Sequence, residues 1–150
     1  MFRSLQNING KNVDAMYKAK AKAVVGMGVV KDYATGEFKF ASASTANDVY
    51  FLTKDMQPVG IQTVYGEVSE YELQDIAVGE FALLVAGEKG EKFFTDQIDT
   101  GITTGSRVVV GTDGKWEKTT SLKSNMICAD ANAKDAGNHP GIIIEIVDWN

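Results

Sequence analysis

The sequence predicts a mainly β protein, an antiparallel β-barrel or β-sandwich with an N-terminal arm and one short helix. Short apolar or alternating runs recur along the 150 residues, separated by glycine-rich polar stretches. None alternates with a helical pattern of roughly 10–15 residues, which disfavours a parallel βαβ architecture. Fifteen glycines against two prolines indicate many turns. We place the arm at residues 1–22 and a single β-rich domain at residues 23–150.

The arm, residues 1–22, is cationic. Five Lys or Arg side chains against one aspartate give it a charge of +4, which leaves −9 on the rest of the chain for a total of −5. The Asn-Gly pair in "NINGKN" breaks regular structure, and "VDAMYKAKAKA" predicts a helical turn or two. Two interpretations stay open: the arm docks on an acidic protein surface, or it is a solvated, frayed terminus.

The first predicted strands follow the arm. "AVVGMGVVKDYATGEFKFASA" predicts a hairpin whose first strand covers residues 23–31 and whose turn is "DYATGE". Phe38 and Phe40 alternate onto one face of the returning strand. The aromatic and β-branched run at residues 48–55 predicts a third strand, and residues 58–68 predict a fourth.

The short helix is predicted at residues 69–76, "SEYELQDI". Ser69 is followed three residues later by Glu72, which is the spacing of a capping box. A segment of this length gives only about two helical turns.

The second half of the chain predicts two hairpins and a last strand. "EFALLVAGEKGEKFFTD" (80–96) turns at "GEKG". "SRVVVGTDGKWEKTT" (106–120) turns at Asp113-Gly114, the two-residue signal of a type I′ turn. The apolar run at residues 141–149 predicts a buried final strand.

An internal echo links these two hairpins. "IAVGEFALLVAGEKG" begins at Ile76 and "ITTGSRVVVGTDGKW" begins at Ile102, and both read isoleucine, two residues, glycine, two residues and an apolar run. Gly79 therefore corresponds to Gly105. We interpret the echo as a duplicated turn and strand, with glycine at a tight corner that requires a positive φ.

The residues that carry most enzyme chemistry are few and isolated. Cys128, the only cysteine, excludes an internal disulfide and a cysteine-based zinc site, and its apolar neighbours predict a small buried side chain. His139, the only histidine, precedes a proline in "AGNHPG" and is interpreted as a loop residue rather than a proton carrier.

The acidic residues predict turns rather than a site. Asp96 and Asp99 are the best candidates for a carboxylate pair, but their glycine- and threonine-rich surroundings favour local hydrogen bonds to the backbone. "DANAKDAGN" (130–138) lacks the glycine and the final glutamate of a calcium loop and predicts a polar turn. We therefore expect no catalytic residue, no metal and no cofactor.

Charge and hydropathy argue against two classes of partner. An acidic body supplies few of the cationic phosphate contacts that nucleic-acid binding requires, so no direct nucleic-acid partner is expected. No segment approaches the roughly 20 apolar residues of a membrane-spanning helix, and the N-terminus lacks the apolar stretch of a secretory signal.

Three stretches carry a family resemblance: "YELQDIAVGEFALLVAGEKGEKFFTDQID", "GSRVVVGTDGKW" and "PGIIIEIV". Over residues 60–148 the chain resembles the small β-rich structural proteins of tailed bacteriophages, above all the capsid decoration (cement) proteins. The resemblance implies a β-barrel or β-tulip-like body over an N-terminal arm. It also implies binding to neighbouring capsid subunits, often as trimers, and no catalytic residues.

We therefore expect a non-enzymatic virion protein, made in the host cytoplasm, that binds the outer surface of the assembled capsid lattice and stabilises it. Its expected partners are the major capsid protein and further copies of itself, with a trimer as one arrangement. The candidate contact residues lie in the arm: Phe2, Arg3, Leu5, Tyr17 and Lys18, with Lys20 and Lys22 as electrostatic aids.

Two alternatives stay open. The first is a phage tail-tube or head-completion protein. The second is a carbohydrate-binding β module that uses Trp116 and tyrosines as a stacking platform, although Trp116 and Trp149 both lie at strand positions where burial is the more usual role.

Overall fold

In the computed structural model the described residues are 2–6, 12–42, 44, 49–54 and 75–150, and they form thirteen β-strands. The strands are β1 (Phe2–Gln6), β2 (Asn12–Ala19), β3 (Ala23–Val24), β4 (Gly28–Asp32), β5 (Glu37–Lys39), β6 (Tyr50–Thr53), β7 (Asp75–Ile76), β8 (Phe81–Ala86), β9 (Lys92–Thr95), β10 (Val108–Val110), β11 (Trp116–Lys118), β12 (Met126–Lys134) and β13 (Pro140–Ile146). The mainly β prediction is confirmed, and the described part of the chain contains no helix.

Five strands close a barrel in the order β2-β5-β4-β6-β8, with β8 paired back to β2. Its neighbours are antiparallel except β2 and β5, which run parallel with Lys18 opposite Glu37. A closed ring in which all neighbours are antiparallel needs an even number of strands, so a five-stranded ring must contain a parallel pair. The predicted barrel is confirmed, and the expectation of purely antiparallel pairing is wrong at this one joint.

The strand registers define which side chains fill the barrel, because directly opposed residues point to the same face. Leu84 lies opposite both Leu52 and Asp14, Tyr17 lies opposite Ala82, and Phe38 lies opposite Lys31. The inward-facing set is Asp14, Tyr17, Ala19, Val29, Lys31, Phe38, Tyr50, Leu52, Ala82 and Leu84. The apolar members of this set are almost fully buried and form a packed core inside the barrel. Its polar members are Asp14, Tyr17, Lys31 and Tyr50.

A second layer, the antiparallel sheet β1-β9-β13-β12, packs against the outside of the barrel. Phe51, which alternates to the outside of β6, stacks on Phe93 of β9 with ring centroids 4.5 Å apart. The ring centroids of Phe2 in β1 and Trp116 in β11 lie 5.4 Å and 4.7 Å from that of Phe51. Pairs of this kind contribute roughly 0.5–1.5 kcal/mol beyond their area burial, so these four rings tie the barrel to the second layer.

Segment 1–22, expected as an arm, contributes two strands to these layers: β1 pairs with β9, and β2 is a wall of the barrel. The helical turn expected for "VDAMYKAKAKA" is wrong, because most of this segment is strand β2. A bulge between Asp14 and Tyr17 inserts one residue into the strand, so both side chains point inward although they are three positions apart. That spacing imitates a helical period in the sequence.

The hairpin expected at residues 80–96 is also wrong. Its two strands, β8 and β9, belong to different layers, and the "GEKG" turn carries the chain from one to the other. Both edges of β8 are already occupied by β2 and β6 inside the closed barrel, so no edge is left for β9. By contrast, the strand β6 and the hairpin β10–β11 are confirmed, and the last strand is confirmed up to Ile146. The hairpin β4–β5 also forms, but the single strand expected at residues 23–31 is wrong, because residues 23–24 form β3 and pair with β7.

Two predicted elements lie wholly or mostly outside the described residues. The strand expected at residues 58–68 lies outside the described residues, as does most of the helix expected at residues 69–76. The last two residues of that expected helix, Asp75 and Ile76, form β7 and pair with β3.

The turn at Asp113-Gly114 differs from the predicted type I′ turn, which requires a positive φ at both central residues. Gly114 has a φ of 83°, whereas Asp113 has a negative φ. The Gly114 amide donates to the Gly111 carbonyl at 3.2 Å, and the Gly111 amide donates to the Lys115 carbonyl at 2.8 Å. This pattern is a three-residue loop that ends in a glycine bulge.

The echo between Gly79 and Gly105 is a shared backbone motif, which we call the docked glycine turn. In residues 77–80 and 103–106 the fourth amide donates to the first carbonyl, and the third residue is glycine with a φ of 81° or 85°. Each glycine amide then donates to the carbonyl of a buried strand residue, Ala19 or Cys128, at 2.8 Å. The amide of that strand residue donates back to the fourth residue of the turn. The predicted tight glycine corner is confirmed.

Two further docked glycine turns were not evident from the sequence. Residues 24–27 dock on Leu52 through Gly26, and residues 88–91 dock on Ile146 through Gly90, with the same three hydrogen bonds. The four turns therefore share one set of three backbone hydrogen bonds, which attaches a chain reversal to a core strand. The "xxG" signature is too short to stand out in a chain with fifteen glycines.

Candidate functional site

The structure separates the predicted contact residues. Phe2 is 9% exposed and stacks on Phe93 with ring centroids 5.3 Å apart, so its side chain belongs to the core and is not presented to a partner. Arg3 and Leu5 lie in β1, and their side chains fall outside the described part of the chain. Phe2 is packed inside because β1 fills the edge of the sheet next to β9.

The remaining predicted contact residues lie in and after β2. Tyr17 faces the barrel interior and is half-buried. Lys18 faces outward, and Lys20 and Lys22 are exposed in the segment that follows the strand. Lys22 forms an ion pair with Asp75 at 3.0 Å, and because both side chains are solvated this pair contributes little stability.

The outer wall formed by β2 and β8 carries a concentration of exposed apolar side chains. Met16 in the bulge of β2 is 80% exposed, and Phe81 at the start of β8 is 56% exposed. Lys18 lies opposite Phe81, with its ammonium 5.2 Å from the centre of that ring. Leu83, partly buried, follows on the same side of β8. We call Met16, Lys18, Phe81 and Leu83 the β2–β8 face.

A shallow depression of about 200 Å³ adjoins the β2–β8 face. Phe81 and Leu83 form its apolar wall, and the ion pair between Lys54 and Glu80, with nitrogen and oxygen 3.4 Å apart, lies at its margin. Val78, in the adjoining docked glycine turn, is 68% exposed. Exposed apolar side chains beside a depression, with charged groups around them, are features that many protein-binding sites share.

A second feature is the polar group at one end of the barrel interior. Lys31 has a side chain only 11% exposed, and its ammonium lies 2.6 Å from the Asp14 carboxylate. The rings of Tyr17 and Tyr50 lie 4.9 Å and 4.4 Å from this ammonium. Tyr33 extends the group outward by an edge-to-face contact with Tyr17.

Each member of the Asp14–Lys31 pair stabilises the charged form of the other. The hydrogen bond from Lys31, helped by the Met16 amide, lowers the pKa of Asp14. Burial opposes the charge of Lys31, but the bond to Asp14 and the neighbouring tyrosines outweigh burial and raise the pKa of Lys31. Burial and a hydrogen bond with Tyr33 raise the pKa of Tyr50. These contacts join side chains of β2, β4 and β6 at this end of the barrel.

The predicted chemistry-bearing residues make local contacts. The Asp96 carboxylate accepts a hydrogen bond from the Gln97 side chain at 2.9 Å, and the Asp99 carboxylate accepts one from the Thr100 amide at 2.7 Å. The Asp99 amide donates to the Trp116 carbonyl at 2.8 Å, which ties the connection to β11. The predicted local hydrogen bond to the backbone is confirmed for Asp99, whereas the Asp96 carboxylate accepts from a neighbouring side chain.

His139 and Cys128 also lie where the sequence predicts. His139 closes the loop between β12 and β13, where its amide donates to the Asp135 carboxylate at 2.8 Å and its imidazole lies 3.1 Å from that group. Burial would raise the pKa of Asp135, but the two bonds from His139 outweigh it and lower that pKa. Cys128 is fully buried, and burial raises the pKa of its thiol.

The segment 130–138 is only in part the polar turn that was expected. Its first five residues continue β12, and the turn itself begins at Asp135. The Asp130 carboxylate accepts a hydrogen bond from the Asn132 amide at 2.9 Å. Within the described ranges no three His, Cys, Asp or Glu side chains converge to hold a metal ion.

The two tryptophans differ in accessibility. Trp116 is fully buried, and its indole nitrogen donates to the Gly26 carbonyl at 2.9 Å, so it offers no stacking platform to a ligand. Trp149 is 48% exposed. The burial expected for Trp116 is confirmed, and the use of Trp116 by a carbohydrate-binding module is excluded.

Sequence reasoning missed Met16 and Phe81. The run "FALLVA" is apolar on both faces, and the sequence does not show which face another layer covers. In the fold, Ala82 and Leu84 face the barrel interior, and Val85 is covered near Phe51. Phe81 lies at the end of the strand and stays exposed.

Within the described residues no helix is long and apolar enough to cross a membrane. No protein-family model, no curated protein and no solved structure matches this chain.

Proposed function

We propose that the protein is a structural component of a tailed-phage virion that binds the outer surface of the assembled capsid lattice and stabilises it, without enzymatic activity. The β2–β8 face carries this proposal. A half-exposed phenylalanine and a largely exposed methionine beside a shallow depression supply the apolar anchors on which protein interfaces depend.

Charge supports an acidic capsid surface as the partner. Lys18 is part of the β2–β8 face, and the exposed Lys20 and Lys22 follow β2 in the chain, on a protein whose net charge is −5. Opposite charges across an interface favour encounter and orientation more than they add affinity. The apolar side chains would then supply most of the affinity, and many copies on one lattice would act together.

A deletion of the N-terminal segment cannot test the contact in this fold. Deleting residues 1–20 would remove β1 and β2, and β2 closes the barrel, so loss of binding would only report unfolding. Point substitutions on the outer wall avoid this, because Met16 and Phe81 are exposed.

The experiment is co-sedimentation of the purified protein with empty heads of the phage that encodes it. The wild-type protein is expected to pellet with the heads, and the double variant Met16→Glu/Phe81→Glu is expected to remain in the supernatant while folding normally. Leu122→Glu is the matched control, because Leu122 is 39% exposed and lies in the loop between β11 and β12, outside the β2–β8 face. Binding by the double variant would exclude the β2–β8 face, and failure of the wild type to bind any head would refute capsid binding.

The alternative of a tail-tube or head-completion protein makes a different prediction. Rings or stacked tubes formed without heads, seen by electron microscopy and by mass in solution, would favour it over decoration.

A further inference from the structure

We propose that the protein has a binding site for a neutral sugar ring at Trp149, on a surface different from the β2–β8 face. A depression of about 170 Å³ is bounded by Tyr50, Gly87, Asn125 and Trp149. Drug-sized ligands usually occupy roughly 300–1,000 Å³, so this volume suits a single ring with further residues extending into solvent.

The lining defines the ligand's charge. The described residues around the depression are apolar or carry neutral polar groups, and none has an ionisable acidic or basic side chain apart from the Tyr50 phenol. A phosphate or carboxylate would need a cationic or strongly donating partner, so anionic ligands are disfavoured. A polyhydroxyl compound needs only hydrogen-bond groups and an apolar surface.

Trp149 supplies the apolar surface. Its indole is 48% exposed, and the negative face of an aromatic ring attracts the C–H groups of a pyranose. The flanking backbone is fixed on both sides: the Val147 amide donates to the Asn125 carbonyl at 2.7 Å, and the Asn150 side chain accepts from the Ser124 amide at 2.9 Å. Such prior ordering lowers the entropy lost on binding.

Asn125 supplies an unsatisfied polar group. Its Oδ1 atom is buried and has no hydrogen-bond partner among the described residues. A buried polar atom without a partner calls for an explanation, and a bound water or ligand is one of the usual ones. Rotation of this carboxamide toward the depression would let a sugar hydroxyl donate to it, and no internal hydrogen bond of that oxygen would be lost.

The test uses the full chain and the methyl glycosides of glucose, galactose, mannose and N-acetylglucosamine. Tryptophan fluorescence and saturation-transfer NMR are recorded against glycoside concentration. At least one glycoside is expected to give a saturable signal in the millimolar range, which is typical of a single-ring contact. The change in tryptophan fluorescence on binding is expected from Trp149, because Trp116 is buried and its indole donates to the Gly26 carbonyl.

Three variants identify the site. Trp149→Ala is expected to abolish the saturation-transfer signal, and Asn125→Leu is expected to weaken binding at least tenfold while the protein remains folded by circular dichroism. Phe81→Ala, on the β2–β8 face, is expected to bind the glycoside like the wild type. A response from none of the four glycosides, or an equal response in Trp149→Ala, would overturn the proposal, whatever the outcome of capsid binding.

Discussion

The carbonyl oxygen of Gly26 accepts hydrogen bonds from the indole nitrogen of Trp116 and from the hydroxyl of Thr95, each at 2.9 Å. Gly26 lies in a docked glycine turn attached to Leu52 of the barrel. Trp116 belongs to the hairpin β10–β11, and Thr95 belongs to the second layer. One buried carbonyl therefore joins three parts of the fold.

Removing both hydrogen-bond donors to the Gly26 carbonyl should lower the free energy of unfolding by more than the sum of the two single substitutions. We expect Trp116→Phe to lower the free energy of unfolding by about 1–3 kcal/mol and Thr95→Val by about 1 kcal/mol. Each single variant leaves Gly26 with one donor, whereas the double variant leaves a buried carbonyl unpaired, which costs roughly a further 1–3 kcal/mol. Urea unfolding measures all three. Trp149→Phe is the control, with little expected change, and strict additivity of the pair would contradict the shared acceptor.

The docked glycine turns should be sensitive to any side chain that opposes a positive φ. We expect Gly79→Ala and Gly105→Ala each to lower the free energy of unfolding by about 1–2 kcal/mol, because a Cβ atom disfavours the left-handed region. A Cβ at either position meets no atom within 4 Å, so the cost measures backbone conformation rather than a clash. The exposed neighbour substitution Val78→Ala should change stability by less than about 0.5 kcal/mol. Equal effects at Val78 and Gly79 would contradict the conformational explanation.

The Asp14–Lys31 pair should make stability depend on pH in a defined direction. Because the pKa of Asp14 is lowered in the folded state, its contribution is fully present above the unfolded value of about 3.9 and is lost as the pH falls through the folded value. The pKa of Lys31 is raised, so its contribution is lost only as the pH rises through its folded value, above about 10.4. Thermal unfolding between pH 2 and pH 7 should show a steeper acid loss for the wild type than for Asp14→Asn.

A double-mutant cycle separates this pair from its surroundings. Lys31→Met keeps the stem between the two tyrosines but leaves the Asp14 carboxylate without its 2.6 Å partner, and it should destabilise the protein more than Asp14→Asn/Lys31→Met does. If Lys31→Met matched the wild type at pH 7, the pair would have no role in stabilising this end of the barrel.

The hairpin β12–β13 depends on one non-glycine residue in the left-handed region. Asn138 has a φ of 63°, and its amide donates to the Asp135 carbonyl at 3.0 Å. We expect Asn138→Ala to lower the free energy of unfolding by about 1 kcal/mol, because asparagine tolerates this conformation and alanine does not. Asn138→Gly should stay within about 0.5 kcal/mol of the wild type. Urea unfolding that ranked glycine as the worst replacement would argue against this explanation.

Local sequence patterns predicted two hairpins, because alternation and turn residues within a few positions are enough to form them. The hairpin β4–β5 follows from alternation on either side of a polar turn, and the hairpin β10–β11 follows from apolar and aromatic residues around Asp113-Gly114. The exact loop type was wrong, since only Gly114 has a positive φ. The strand β12 was missed, because its second half, "DANAK", is polar, and because two bulges, between Cys128 and Asp130 and between Asp130 and Ala133, interrupt its alternation.

The candidate contacts could not be ranked from the sequence. Phe2 and Phe81 are both aromatic residues at strand ends, yet one is in the core and the other is exposed. The difference comes from what covers each strand: Phe2 lies against Phe51 and Phe93, whereas the wall around Phe81 has no layer over it among the described residues. Which face is covered depends on contacts between distant segments.

The sequence by itself determined a mainly β chain, the glycine corners at Gly79 and Gly105, the burial of Cys128 and Trp116, and the use of Asp96 and Asp99 as turn and connection residues. These properties depend on side-chain alternation, size and backbone freedom within a few residues. Only the tertiary structure decided which strands pair, that β8 and β9 separate into two layers, and that the N-terminal segment closes the barrel. The backbone N–H and C=O groups at a strand edge can pair with any free edge, however distant in the chain, so local patterns do not define the partner. A ring of five strands must include a parallel pair.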